Sequence, residues 1–187
     1  MRLYYTVPSV AEAAQPTPSM SLGGFKSSTP LQNAQFGNMF DGITAVTINN
    51  FNQNQYVGLV LKNETGADIT NAKLWFVFPT GCYSKLKVAA VDMVAGSNGD
   101  LQMEQIMNIF SKPINGDFYE ADVDNKVDLG DLTDGEQIGI WIERSLLLDV
   151  ITAQSENIYE PDTALENRFK EVVLNKVDDI GLFVSWD

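Results

Sequence analysis

The side chains that do most protein chemistry are scarce in this chain of 187 residues. There is no His, which removes the commonest general acid/base near neutral pH and the commonest metal ligand. A single Cys, Cys82, allows no internal disulfide and no thiolate zinc site. A lone free thiol fits a product made in a reducing compartment. No Gly-x-Ser-x-Gly elbow occurs, and no glycine-rich loop ends in Lys-Ser or Lys-Thr. Leu22-Gly-Gly24 looks like a phosphate cradle only superficially, because the pattern places no strand before it and no helix after it. The acidic run Asp122-Val-Asp-Asn-Lys-Val-Asp-Leu-Gly-Asp131 offers the oxygen ligands a hard cation wants. It departs from a helix-loop-helix calcium loop where it matters: Val127 stands where the turn needs Gly, and Lys126 stands where a ligand oxygen belongs. It reads as a solvent-facing strand and turn. Asp and Glu are abundant enough for a two-carboxylate glycosidase, but Trp75 and Trp141 sit in apolar strands and read as core, not as a sugar platform. The expectation is a non-enzyme with no cofactor and no metal.

Composition narrows the partners. Twelve Lys and Arg against 25 Asp and Glu give a net charge of −13. Such a surface repels phosphate, which argues against a nucleic-acid binder driven by counterion release. The longest apolar stretches, near 75–78 and 145–151, fall far short of the ~20 residues that cross a bilayer, and no run near the start is long enough for a signal-peptide core. Neither nucleic acid nor membrane is expected as a partner. With 44% apolar and 20% charged residues, the chain can bury a core.

Two regions differ in texture. Four of the seven prolines, Pro8, Pro16, Pro18 and Pro30, fall early and are interleaved with serines. Proline fixes φ and lacks an amide donor, so this stretch reads as an extended arm spanning 1–30. Leu3, Tyr4, Tyr5 and Phe25 are too apolar for a free tail and are candidate anchors, docking either on the chain's own domain or on a neighbour. Residues 31–187 form the second region. Alternating or β-branched runs predict strands near 56–62, 72–78, 85–92, 137–143 and 180–186, with a shorter one at 118–123. Ile138, Ile140 and Ile142 share one face. Residues 101–110 fit neither the strand nor the helix period. Thr163 and Glu166 make a capping-box pair, and Leu165, Phe169 and Val172/Val173 recur at helical spacing, predicting one short late helix. Many short strands separated by turn signals define an all-β sandwich.

Several segments, in order, resemble small virion structural proteins of short-tailed bacteriophages, with the crAss-like group as the narrower likeness. They are Ser21-Leu-Gly-Gly-Phe-Lys-Ser-Ser-Thr-Pro30, Asn38-Met-Phe-Asp-Gly-Ile43, Tyr56-Val-Gly-Leu-Val-Leu-Lys-Asn-Glu-Thr-Gly66, Asn71-Ala-Lys-Leu-Trp75 and the block Leu129-Gly-Asp-Leu-Thr-Asp-Gly-Glu-Gln-Ile-Gly-Ile-Trp-Ile-Glu-Arg144. Met39 stands where that pattern carries Leu, and residues 150–180 have no counterpart in it. The resemblance implies an immunoglobulin-like β-sandwich in the neck, ring or tail of a virion assembled in the host cytoplasm. It implies contact with copies of itself in a cyclic ring and with neck, tail or portal-associated proteins. Arg144, just after a central strand, is then either a rim charge or a partner for a neighbour's acid. The competing expectation is a carbohydrate- or surface-binding module of an adhesion domain, which should expose aromatics on its loops.

Overall fold

Strands form where alternation predicts them, and also where prolines hid them. The computed structural model describes residues 1–32, 39–40, 54–78, 84–146 and 180–187. The late helix near Thr163 and the thiol of Cys82 lie outside the described residues. The strands are β1 (Arg2–Val7), β2 (Gly23–Pro30), β3 (Gln55–Lys62), β4 (Ile69–Val77), β5 (Ser84–Asp92), β6 (Val94–Ala95), β7 (Leu101–Gln105), β8 (Tyr119–Glu120), β9 (Val127–Leu132), β10 (Gln137–Leu146) and β11 (Gly181–Ser185). One sheet has the order β6-β7-β2-β1-β3-β10-β5-β8, and the other β11-β4-β9. All described pairings are antiparallel. The protein is thus an all-β, sandwich-like fold, with eight strands in one sheet and three in the other among the described residues.

Period-2 alternation sorts each strand's side chains onto two faces. Ile140 and Ile142 of β10 point into the space between the sheets, where they meet Leu59, Leu74, Phe76 and Leu86. Trp141, between them in sequence, points the other way into a second cluster with Tyr56, Val60, Ala89, Met103 and Ile106. This second cluster exists because the large sheet rolls up. Only Met93 separates β5 from β6, yet the two lie towards opposite ends of the sheet order. Two Cα steps span at most about 7.6 Å, so the sheet curls until its ends come together around Trp141. Glycines make the space: a Cβ on Gly58 would stand 3.2 Å from the indole, and one on Gly23, where φ is +87°, would stand 3.0 Å from it. Three segments singled out in the sequence therefore converge on one packing job.

The first thirty residues are not an arm. β1 lies inside the large sheet, hydrogen-bonded to β2 on one side and β3 on the other. The prolines punctuate the strands: Pro8 follows β1, Pro30 ends β2, and Pro18 opens a short 3-10 turn (Pro18–Met20). The connection between them is also pinned. The Glu12 amide donates to the Lys26 carbonyl and the Ser28 amide to the Ala13 carbonyl. Buried Gln15 donates from Nε2 to the Thr6 carbonyl at 2.9 Å. Ser21 Oγ bridges β1 and β3, accepting from the Thr6 amide at 2.8 Å and donating to the Gly58 carbonyl at 2.5 Å.

A second correction concerns Trp75. It lies on the outer face of the small sheet, half-buried, stacked on its cross-strand partner Phe183 at 5.8 Å between centroids. Only Trp141 of the two strand tryptophans is core.

Candidate interaction surface

Residues 106–117, which begin inside the 101–110 stretch that fits neither period, form a ridge held from below. Ile106, Ile109 and Pro113 are buried, with Ile109 reaching the core between the sheets. The Tyr56 amide donates to the Ile109 carbonyl at 2.6 Å, and the Ile106 amide to the Leu22 carbonyl at 2.9 Å. Glu104 of β7 clamps the far end, its carboxylate accepting from the amides of Ile114 and Asn115 at 2.9 Å. Asn108 supports the crest by accepting from the Phe110 amide at 2.9 Å. With the backbone so anchored, Met107 and Ile114 are each 90% exposed. Large apolar side chains held out into water by a pinned backbone make this ridge the candidate for a contact surface.

A groove lies on each side of the ridge. On the Met107 side the walls are Val7, Ala13, Gln15, Met20 and Leu22, and none of the described lining residues is charged. On the Ile114 side the walls come from the end of β5, from β6 and β7, from Tyr119 of β8 and from Val127 of β9. There Asp92, Glu104, Asp117 and Asp128 line the groove, without a Lys or Arg among the described lining residues. One ridge thus separates a neutral groove from an acidic one.

The residues proposed from sequence as assembly contacts do not form this surface. Tyr5 is 1% exposed and belongs to the main core. Tyr4 is buried too, its ring under the Lys26 ammonium at 4.1 Å and its hydroxyl donating to Glu64 at 2.8 Å. Burial first, and then the Glu64 carboxylate, push the Tyr4 phenol above its ordinary value. Leu3 packs against the main core and Phe25 is half-buried in β2. Arg144 is neither a rim charge nor exposed to a neighbour. It is 2% exposed, donates to Gln55 Oε1 at 3.3 Å and lies over the Phe40 ring. Met107 and Ile114 escaped the sequence reading because a ridge has no period. Its one signal was the failure of 101–110 to fit either template.

Two other sequence features find structural uses. The Asp122 carboxylate accepts from the amides of Asn125 at 2.8 Å and Asp124 at 2.9 Å, and these bonds hold it below the ordinary carboxylate range. Its oxygen serves the turn. Among the described residues, no group of three or more His, Cys, Asp or Glu converges as a metal site requires. Asn63, fully buried, joins the β3–β4 and β9–β10 turns. Its Nδ2 donates to the carbonyls of Ala67 and Leu132 at 2.8 and 3.0 Å, and its Oδ1 accepts from the Thr65 hydroxyl at 2.8 Å. The Lys-Asn-Glu-Thr-Gly and Thr-Asp-Gly-Glu segments are therefore one structural unit.

No protein-family model matches the chain, and no curated protein or solved structure is significantly similar to it. Among the described residues, no helix is long and apolar enough to cross a membrane.

Proposed function

We propose that the chain is a non-enzymatic structural subunit of a bacteriophage virion, assembling with copies of itself into a closed ring at the neck or tail, next to other neck, tail or portal-associated proteins. The observation that carries this reading is the anchored ridge with its exposed Met107 beside an uncharged groove. A ring needs a head-to-tail contact between two different patches, and closure of that contact sets the copy number. Copies that each carry a net charge of −13 repel one another, so an apolar, uncharged contact is where they can meet at least electrostatic cost. The segment likeness to phage virion proteins supplies the setting. Exchange of an N-terminal arm plays no part, because β1 and β2 are strands of the chain's own sheet.

The carbohydrate-binding alternative is favoured by the exposed rings of Phe110, Tyr119, Phe183 and Trp186. Against it, one face of Trp75 is taken by Phe183, and the Lys126 ammonium sits 4.1 Å from the Trp75 ring centre. Sedimentation of the purified chain together with a glycan-array screen separates the two. A discrete oligomer without glycan binding supports the ring subunit. A monomer that binds a defined glycan overturns it.

A further inference from the structure

The acidic groove holds an open strand edge. β8 pairs with β5 only at Lys87 and Val88, whereas β5 continues to Asp92 with β10 on its other side. Residues 89–92 thus have no neighbouring strand on the outer side among the described residues; Ala89 is fully buried, and residues 90–92 leave about 10 Å of open edge at ~3.3 Å per residue. An unpaired edge presents backbone amides and carbonyls ready to pair with an added strand. Ala90, Val91 and Asp92 of this edge line the groove. Facing it are exposed apolar side chains, Val94, Ile114 and Tyr119, and the carboxylates of Glu104, Asp117 and Asp128.

We propose that this groove binds an extended segment of another protein, with Lys or Arg alternating with apolar side chains, which adds as a strand to the free edge of β5. Each part of the site reads one property of that segment. The edge supplies main-chain hydrogen bonds, and alternate side chains then fall to opposite sides of the added strand. One set meets Val94, Ile114 and Tyr119, and the other meets the carboxylates. Charge excludes the closest competitors. A second copy carries −13, and this chain's own residues 147–179 hold more acids than bases. A divalent cation is disfavoured as well, since the carboxylates do not converge on a point. The proposal stands whether or not the chain forms rings, because it uses the opposite side of the ridge from the neutral groove.

The test uses a short, end-blocked peptide alternating Lys and Val, a Glu-Val counterpart, and the full-length chain, with affinity and amide hydrogen exchange as readouts. The Lys-Val peptide is expected to bind, to weaken as salt is raised, and to slow exchange within 89–92. The Asp92→Asn/Asp128→Asn double variant should bind it roughly tenfold more weakly. These side chains are exposed, and unchanged exchange in β3 and β10 would confirm that the variant is folded. Absence of binding, equal binding of the Glu-Val peptide, or binding that leaves 89–92 unprotected would each overturn the proposal.

Discussion

The two grooves share a ridge and little else. On the neutral side, Met107 stands over walls made by the end of β1 and the pinned connection that follows it. On the acidic side, Ile114 stands over the open end of β5, with carboxylates around it. Both tips are equally exposed, so apolar protrusion does not distinguish them. The difference lies in the walls: an edge already filled by β2 and β3 around β1, against an edge left open past Val88. Shape comes from buried anchors, and the two walls differ in charge and in whether their backbone groups are already paired.

The harshest way to break this contrast is to remove β1. Deleting residues 1–15 takes a strand from between β2 and β3 and takes Tyr5 from the core. The expected outcome is a chain that does not fold, seen as loss of the cooperative thermal transition. A folded, soluble truncation would restore the arm as a separate element. Next in size, Ile109→Ala should cost about 2–5 kcal/mol in denaturant unfolding, with faster amide exchange across the whole ridge and weaker binding in both grooves. Loss in one groove alone would mean that the ridge is not a shared support.

A smaller effect sharpens the contrast by leaving both grooves alone. Partial desolvation works to raise the Glu64 carboxyl, but the Tyr4 hydroxyl at 2.8 Å, Lys62 at 3.5 Å and Arg2 at 3.9 Å outweigh it and hold the group below its ordinary value. The folded chain therefore releases this proton more readily than the unfolded one. Its contribution is present above the ordinary glutamate range and is lost as pH falls through the lowered folded value. These contacts are partly open to solvent, so Glu64→Gln should shift stability by under about 1 kcal/mol at neutral pH, and should flatten part of the acid limb without touching peptide binding. An unchanged acid limb would remove Glu64 from the account.

The strands at 55–62, 69–77, 84–92, 137–146 and 181–185 were legible because alternation and β-branching leave a pattern in any window as long as a strand. β1 and β2 were not, for physical reasons that can be named. Pro8 and Pro30 bound these strands without interrupting them, so counting prolines mistook punctuation for content. Lys26, an unusual residue for a strand interior, is buried with its ammonium shared between Glu12 and the face of Tyr4. Ser21 and Thr6 spend their hydroxyls on each other and on Gly58. Such pairing over long sequence distances leaves no local trace. β6, at two residues, is too short to carry any period, and the strand expected over 118–123 forms only at Tyr119–Glu120. The candidate surface was the least legible part, since exposure of Met107 and Ile114 depends on how the large sheet rolls.

The central claim is that the neutral side of the ridge is where copies meet. Analytical ultracentrifugation of the wild-type chain and of Met107→Asp, over a range of concentration and salt, tests it directly. Met107 is almost wholly exposed, so the substitution should leave folding unchanged while placing a carboxylate in an uncharged contact. The account predicts a discrete wild-type oligomer that strengthens as salt screens the −13 charge, and a Met107→Asp chain that sediments as the 20.6 kDa monomer. A wild-type chain that stays monomeric under all conditions, or a variant that forms the same oligomer, would contradict it.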